Sequence, residues 1–151
     1  MGKAAELARK HLPDYEKKVH PLRDELEEGI LRAVPNTGLN GHKTERLANT
    51  TNITFHGVES EALLIMLDQE GICASSGSAC LADSDEPSHV IKAMRPDTAA
   101  SRQMIRFSLD DTATQEQTKW VVTAVMRTTE ALSGVAWQSR KSGQRVPPAE
   151  P

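Results

Sequence analysis

Residues 51–72 read TNITFHGVESEALLIMLDQEGI, and this stretch decides the fold class. Polar and apolar residues alternate from Thr51 to Phe55, a pattern that predicts a β-strand. Ser60 then opens a run rich in Leu, Ile and Met, which predicts a helix with Ser60 as its cap. Gly71 follows at a position where a helix commonly stops in the left-handed conformation. A strand followed closely by a helix indicates an α/β or α+β domain with a small sheet.

The N-terminal segment is predicted to be helical, because apolar residues recur there at every third or fourth position. This stripe consists of Tyr15, Val19, Leu22, Leu26 and Ile30. Pro13 is expected to begin a second helical segment, since proline is tolerated at a first helical position. Pro21 is expected to kink or split that helix, and Pro35 is expected to end it.

Downstream of the opening stretch, short apolar segments predict strands and a polar start predicts a long helix. The predicted elements are short strands at 37–39, 72–74 and 104–109 and a short helix at 87–94. A threonine at 112 or 114, with a glutamine three residues later, predicts a capping box for a helix that ends at Gly134. We therefore expect one domain over residues 1–134 and a disordered, basic tail over 135–151.

The composition restricts the possible partners and compartments. The 151 residues suffice for one domain, and the net charge of −3 gives no general attraction to nucleic acid or anionic membranes. No apolar run approaches the roughly 20 residues that span a bilayer. The N-terminus lacks the apolar stretch of a signal peptide. We expect a soluble cytoplasmic protein without nucleic-acid or membrane partners.

The two cysteines differ in their sequence surroundings. Cys73 adjoins Ile72 on a predicted strand and is expected to be a buried core residue. Cys80 ends a loop of small residues that should leave its thiol exposed, as nucleophilic thiolates require. The loop consists of Ser75, Ser76, Gly77, Ser78, Ala79 and Cys80. Alkylation of the native protein is therefore expected to label Cys80 quickly and Cys73 slowly.

A second candidate for chemistry is Arg106, within the predicted strand Ile105-Arg106-Phe107-Ser108-Leu109. The alternation places Arg106 and Ser108 on one face and apolar residues on the other. An arginine in a strand is ordinarily a solvent-exposed residue on one face of the sheet. The functional alternative is a carboxylate clamp, because the guanidinium donates two parallel charge-assisted hydrogen bonds to a carboxylate.

Several segments resemble the C-terminal region of pyridoxal-phosphate-dependent cysteine desulfurases. These enzymes form the nitrogen-fixation and iron–sulfur-assembly branch of the class V aminotransferases. The strongest matches are ASSGSAC at 74–80, EPSHVIKAM at 86–94 and IRFSL at 105–109. Supporting matches are LRDELEEGIL at 22–31, NTTNITF at 49–55 and GVESEALLIMLDQEGI at 57–72. The resemblance spans residues 3–134.

The resemblance implies a fold and a chemistry. The fold is the small C-terminal domain of a fold-type I enzyme, with helices on one side of a small sheet and a large domain facing the other. The chemistry is sulfur transfer: the residue matching Cys80 attacks the sulfur of L-cysteine and becomes a persulfide, and alanine leaves. The residue matching Arg106 holds the substrate carboxylate. Small loop residues suit a cysteine that visits the cofactor and then a sulfur acceptor.

The chain departs from the family pattern at the cofactor. His42-Lys43 is not followed by the glycine-rich stretch that accompanies the family's Schiff-base lysine, and its neighbours align with the C-terminal domain. We therefore expect no cofactor-binding residue here, and no pyridoxal phosphate bound to this chain alone. The large domain would precede Met1, and without it the chain should be inactive. A second departure is Asp110, where family members often have glycine after Ser-Leu.

The sequence leaves three functions open. The first is the C-terminal part of a cysteine desulfurase, a transferase. Its expected partners are a large domain, an iron–sulfur scaffold or other sulfur acceptor, and a second copy in a homodimer. The second is a standalone sulfur-relay or partner-binding module that receives a persulfide on Cys80. The third is a metal site, whose spacings match no compact zinc pattern. Its candidate ligands are Cys73, Cys80, His42, His56 and His89.

Overall fold

The computed structural model of the protein describes residues 1–77, 89–94 and 102–141. Within these ranges the chain forms four helices and three strands. In chain order they are α1 (Gly2–Ala33), β1 (Thr37–Leu39), β2 (Thr50–Phe55), α2 (Ser60–Gln69), α3 (His89–Met94), β3 (Met104–Ser108) and α4 (Gln115–Lys141). In the described part of the chain, no helix has the length and apolarity needed to cross a membrane.

The three strands form an antiparallel sheet in the order β1-β2-β3. One face of the sheet carries the apolar residues that occupy alternate positions along the strands. They include Ile53, Phe55, Ile105 and Phe107, all nearly fully buried. Buried residues of α1, α2 and α4 pack against this face and complete the core. The other face carries mainly polar side chains; Arg106 and Ser108 on it are exposed, whereas Thr54 and Met104 are buried. This mixed α/β architecture, with these helices on one side of the sheet, confirms the predicted fold class.

Helix α1 is continuous through both of its prolines. The prediction that Pro13 starts a second segment is therefore wrong, and of the two outcomes predicted for Pro21, a kink or a split, the split is wrong. Both prolines are exposed, so the carbonyl groups that lose a backbone partner remain accessible to water. The helix does end before Pro35 as predicted, because Val34 adopts an extended conformation with φ −112° and ψ 111°.

Helices α1 and α4 cross closely at Gly29. A β-carbon built on Gly29 would lie 2.7 Å from Cγ2 of Val122 on α4. Real β-carbon contacts are longer, so any larger residue would force the two helices or Val122 to move. Glycine at this position therefore allows the close approach that brings Leu26 and Ile30 of α1 and Val125 of α4 into one core.

Two arginines fix the connection between β1 and β2 to helix α1. Arg46 forms an ion pair with Glu27, with both side chains less than one-sixth exposed, and Glu27 also accepts a hydrogen bond from the Thr51 hydroxyl. Arg23 is almost fully buried and donates to the backbone oxygen of Leu47 at 3.1 Å. The cost of removing both charges from water offsets much of the gain from such a buried pair, but loss of one partner leaves an uncompensated buried charge and is strongly destabilising.

The start of α2 differs from the prediction in one detail. Glu59, not Ser60, occupies the N-cap position and makes no side-chain cap. The Ser60 hydroxyl instead donates to the backbone oxygens of Arg102 and Met104, at 2.7 and 2.9 Å, which ties the helix to β3. At the other end Gly71 has φ +74°, which confirms its predicted left-handed conformation.

The start of α4 was predicted correctly and its end was not. Thr114 and Gln117 form a reciprocal capping box: the Gln117 amide donates to Thr114 Oγ1 at 3.3 Å, and the Thr114 amide donates to Gln117 Oε1 at 3.0 Å. The helix then passes Gly134 and reaches Lys141. A single glycine costs a helix only about 1 kcal/mol relative to alanine, which does not by itself end it. The predicted tail from 142 onwards lies outside the described residues.

Candidate functional site

Arg106 lies on the open, polar face of the sheet, as its alternation predicted. Its side chain is exposed, as is that of Ser108, while Ile105 and Phe107 point into the core. In the register of β2 and β3, Asn52 stands directly opposite Arg106. Within the described ranges, no carboxylate lies within salt-bridge distance of the guanidinium. The arginine therefore presents its charge to the open face.

The base of the cysteine loop is bonded to the strand that carries this arginine. The Arg106 amide donates to the Ser75 carbonyl oxygen at 2.7 Å, and the Ser75 amide donates to the Arg106 carbonyl oxygen at 3.1 Å. This pair of bonds is one rung of an antiparallel ladder. It places the start of the small-residue loop beside the arginine.

Ser75, Ser76 and Gly77 are half-buried and form no regular secondary structure. The Ser75 hydroxyl donates to the Gly77 carbonyl oxygen at 3.2 Å and shapes the first turn of the loop. Ser78, Ala79 and Cys80 lie outside the described residues, as does the start of the predicted helix before His89. Their predicted roles stay predictions.

The prediction for Cys73 is wrong on two counts. Residues 72–74 are not a strand, and the Cys73 thiol is exposed. Ile72 is buried, whereas the adjacent Cys73 faces outwards. It lines a cleft of about 570 Å³ whose walls also include Phe107, Ser108 and Trp120.

This exposure changes the expected thiol chemistry. Brief alkylation of the native protein with iodoacetamide is now expected to label Cys73, and the labelled peptide can be identified by mass spectrometry. A small excess of reagent, sampled over time, should give a Cys73 rate close to that of the unfolded protein. Protection of Cys73 that disappears in denaturant would contradict the exposed thiol and restore the buried assignment.

Asp110, the second departure noted in the sequence, forms a local turn. Its carboxylate accepts hydrogen bonds from the hydroxyl and the amide of Thr112, at 2.7 and 2.8 Å. Chiefly through these two bonds, the pKa of Asp110 is held below its usual value. The turn leads the chain from β3 into the capping box of α4, so the aspartate has a local structural role.

Among the described residues, the candidates for a cofactor or a metal form no such site, and Cys80 lies outside them. Lys43 is exposed on the loop after β1. Nδ1 of the neighbouring His42 accepts hydrogen bonds from the backbone amides of Thr44 and Glu45. Nothing in this turn resembles the lysine, ring partner and phosphate cradle that hold pyridoxal phosphate. Across the ranges described above, no three His, Cys, Asp or Glu side chains meet as a candidate metal site.

Comparison with known proteins identifies the family. The model of the aminotransferase class-V family matches residues 1–121. The chain belongs to this family. Its relatives include cysteine desulfurase 2 of Trichormus variabilis, 48% identical over 136 residues that cover 90% of this chain and 34% of the relative. Cysteine desulfurase NifS of Azotobacter vinelandii is 44% identical over 125 residues, which cover 83% of this chain and 30% of that protein.

Solved structures agree with this class V assignment. The NifS-like protein of Rickettsia africae superimposes with a TM-score of 0.73 at 29% identity, covering 85% of this chain and 33% of that one. A sugar aminotransferase of Streptococcus pneumoniae shares the fold alone, with a TM-score of 0.64 at 14% identity over 86% of this chain and 34% of that one. The chain thus spans about a third of the length of its class V relatives. The class V desulfurases depend on pyridoxal phosphate.

Sequence reasoning missed two features of the site. The rung between Ser75 and Arg106 joins residues far apart in sequence and leaves no periodic signal. The second feature is the asparagine opposite Arg106. The alternation in NTTNITF placed Asn52 on the polar face, but only the register of β2 and β3 shows what it faces.

Proposed function

We propose that this chain is the C-terminal part of a cysteine desulfurase and accepts sulfur from L-cysteine on Cys80. In the transfer, the Cβ–S bond of the substrate breaks and an S–S bond to Cys80 Sγ forms. The substrate carbon takes up a proton and leaves as alanine, and the protein keeps the sulfur as a persulfide for an iron–sulfur scaffold or another acceptor.

The observation that carries this proposal is the rung between Ser75 and Arg106. A sulfur transfer needs the substrate held by one group while the thiol reaches its sulfur. The guanidinium on β3 can hold a carboxylate through two charge-assisted bonds. The rung anchors the loop that leads to Cys80 on the same residue. Carboxylate binding and sulfur acceptance therefore start from one point of the sheet.

The remaining parts of the reaction are not supplied by the described residues. The described residues do not fit a pyridoxal-phosphate site, so we propose that the cofactor is held by a further region of a longer chain or by a second chain. This proposal agrees with the match to about a third of the relatives' length. The chain on its own is then expected to be inactive toward L-cysteine.

A chimera tests the proposal. Residues 1–134 would replace the matching segment of cysteine desulfurase 2 of Trichormus variabilis, which is 48% identical to this chain over 136 residues. With L-cysteine and a thiol reductant, the chimera is expected to release alanine and sulfide in equal amounts. The absorption spectrum of its bound pyridoxal phosphate reports that the chimera is assembled.

Two results would count against this function. A folded, cofactor-loaded chimera that releases no alanine would contradict it. If the chimera were inactive and the chain alone took one sulfur atom from a persulfide donor on Cys80, the sulfur-relay function would be favoured instead. Mass spectrometry of the intact chain and of its Cys80 peptide measures that uptake.

A further inference from the structure

The open face of the sheet holds a second group beside Arg106 that can bind an anion. The backbone amide and carbonyl of Arg106 both point to Ser75, away from β2. Asn52 and Arg106 are therefore a non-hydrogen-bonded pair of β2 and β3, whose α-carbons are about 4.5 Å apart and whose side chains are closest. Asn52 is therefore the direct cross-strand neighbour of Arg106 on this face.

The amide of Asn52 is held in one orientation. Asn40, which is buried, donates through Nδ2 to Asn52 Oδ1 at 2.7 Å and to Thr54 Oγ1 at 2.8 Å. With its oxygen turned to Asn40, Asn52 directs its nitrogen to the Met104 sulfur at 3.1 Å. An amide nitrogen carries two hydrogens, so one donor of this half-exposed residue remains for another partner.

Asn40 holds the Asn52 amide in this orientation at a cost in stability. Its own Oδ1 is buried and, in the part of the chain described, has no hydrogen-bond partner. Buried acceptors without a partner are rare and destabilising. Its two N–H groups thus bond Asn52 and Thr54, while its own oxygen is left without a bond in the part of the chain described.

We propose that Asn52 and Arg106 together bind the carboxylate of an α-amino acid. The guanidinium supplies the charge and Asn52 supplies a neutral N–H donor to the same carboxylate. Two donors of different geometry favour a planar carboxylate bound in one orientation. A guanidinium without such a neighbour binds any anion. The inference rests on the proposed role of Arg106 in the sulfur transfer and adds Asn52 as a ligand-binding residue.

A titration of the 151-residue chain tests this proposal. The NMR signal of the Arg106 Nε–H group, assigned by its loss in Arg106→Met, is followed as L-alanine or acetate is added. We expect a saturable shift with both ligands. Asn52→Ala should weaken binding about three- to tenfold, as expected for the loss of one hydrogen bond to a charged group.

A charge placed opposite the arginine gives a second variant. Asn52→Asp should abolish the saturable shift, because the new carboxylate occupies the guanidinium, while the thermal midpoint stays at or above that of the parent. Thr50→Ala, on the same face but opposite Ser108, is the control and should bind as the parent does. Each variant is compared by its amide fingerprint spectrum to establish that it is folded.

The outcomes separate the two proposals. A saturable shift in the parent that Asn52→Ala and Asn52→Asp leave unchanged would overturn the role of Asn52 alone. Absence of any saturable shift in the parent would overturn both this inference and the assignment of Arg106 as the carboxylate-binding residue. Equal weakening in Thr50→Ala and Asn52→Ala would also overturn the specific role of Asn52.

Discussion

Replacing Cys80 with serine in the chimera is expected to reduce the release of alanine from L-cysteine to the level of the reaction without protein. A serine hydroxyl is not ionised at neutral pH and forms no stable bond to sulfane sulfur, whereas a thiolate is a strong nucleophile. Removal of a covalent nucleophile typically lowers turnover by about a thousandfold or more. The measurement is the initial rate of alanine formation, with the cofactor spectrum recorded in parallel.

The matched control is Cys73→Ser, which removes the other thiol of the chain. Cys73 is exposed in the cleft beside Trp120, two residues before the rung at Ser75, and it has no place in the proposed transfer. Its variant should retain turnover within about twofold of the parent, as surface substitutions away from a site usually do. If Cys73→Ser lost activity and Cys80→Ser kept it, our proposal would have assigned the sulfur to the wrong residue.

Substitution of Gly29 is expected to destabilise the fold where α1 crosses α4. The added methyl group of Gly29→Ala would meet Val122 at 2.7 Å, and overpacking of this kind costs about 1–3 kcal/mol. The gain in helix propensity offsets up to about 1 kcal/mol of that cost. Gly29→Leu, which adds three further carbons, should cost about 3 kcal/mol or more. Urea unfolding of the isolated chain measures the free energy of unfolding for each variant.

Two variants separate the steric cause from a general effect of glycine replacement. Gly134→Ala, on α4 with nothing near its β-carbon, should raise the free energy of unfolding by up to about 1 kcal/mol. Val122→Ala should restore part of the stability lost in Gly29→Ala, because it removes the contacted methyl groups. If Gly29→Ala were as stabilising as Gly134→Ala, the close crossing of the two helices would be refuted.

Local signals in the sequence predicted local structure well. The capping box of Thr114 and Gln117 and the left-handed Gly71 depend only on residues within one turn, and both are present. The alternation around Arg106 predicted its exposed face, because strand periodicity is also local. The domain boundary at residue 134 remains a prediction, although α4 itself continues to Lys141.

The Ser60 cap and the end of α4 at Gly134 were wrong although their signals are local, but the other features predicted wrongly or missed depend on distant contacts. Pro13 and Pro21 carry a strong local signal, yet their exposure on one side of a helix lets α1 continue. Cys73 looked buried beside Ile72, but only the tertiary position of this extended segment decides which neighbour faces the core. The juxtapositions of Arg106 with Ser75 and with Asn52 need the register of segments that are more than thirty residues apart.

The contacts that join Ser75 and Ser60 to β3 also occupy backbone groups on the outer edge of the sheet. An unpaired strand edge offers backbone groups to any other extended chain. On the outer edge of β3, Ser75 occupies both backbone groups of Arg106, and the Ser60 hydroxyl occupies the Met104 oxygen. The opposite edge, β1, is only three residues long. Neither edge offers a long ladder to a second copy, so fibril-like stacking through the edges of this sheet is disfavoured.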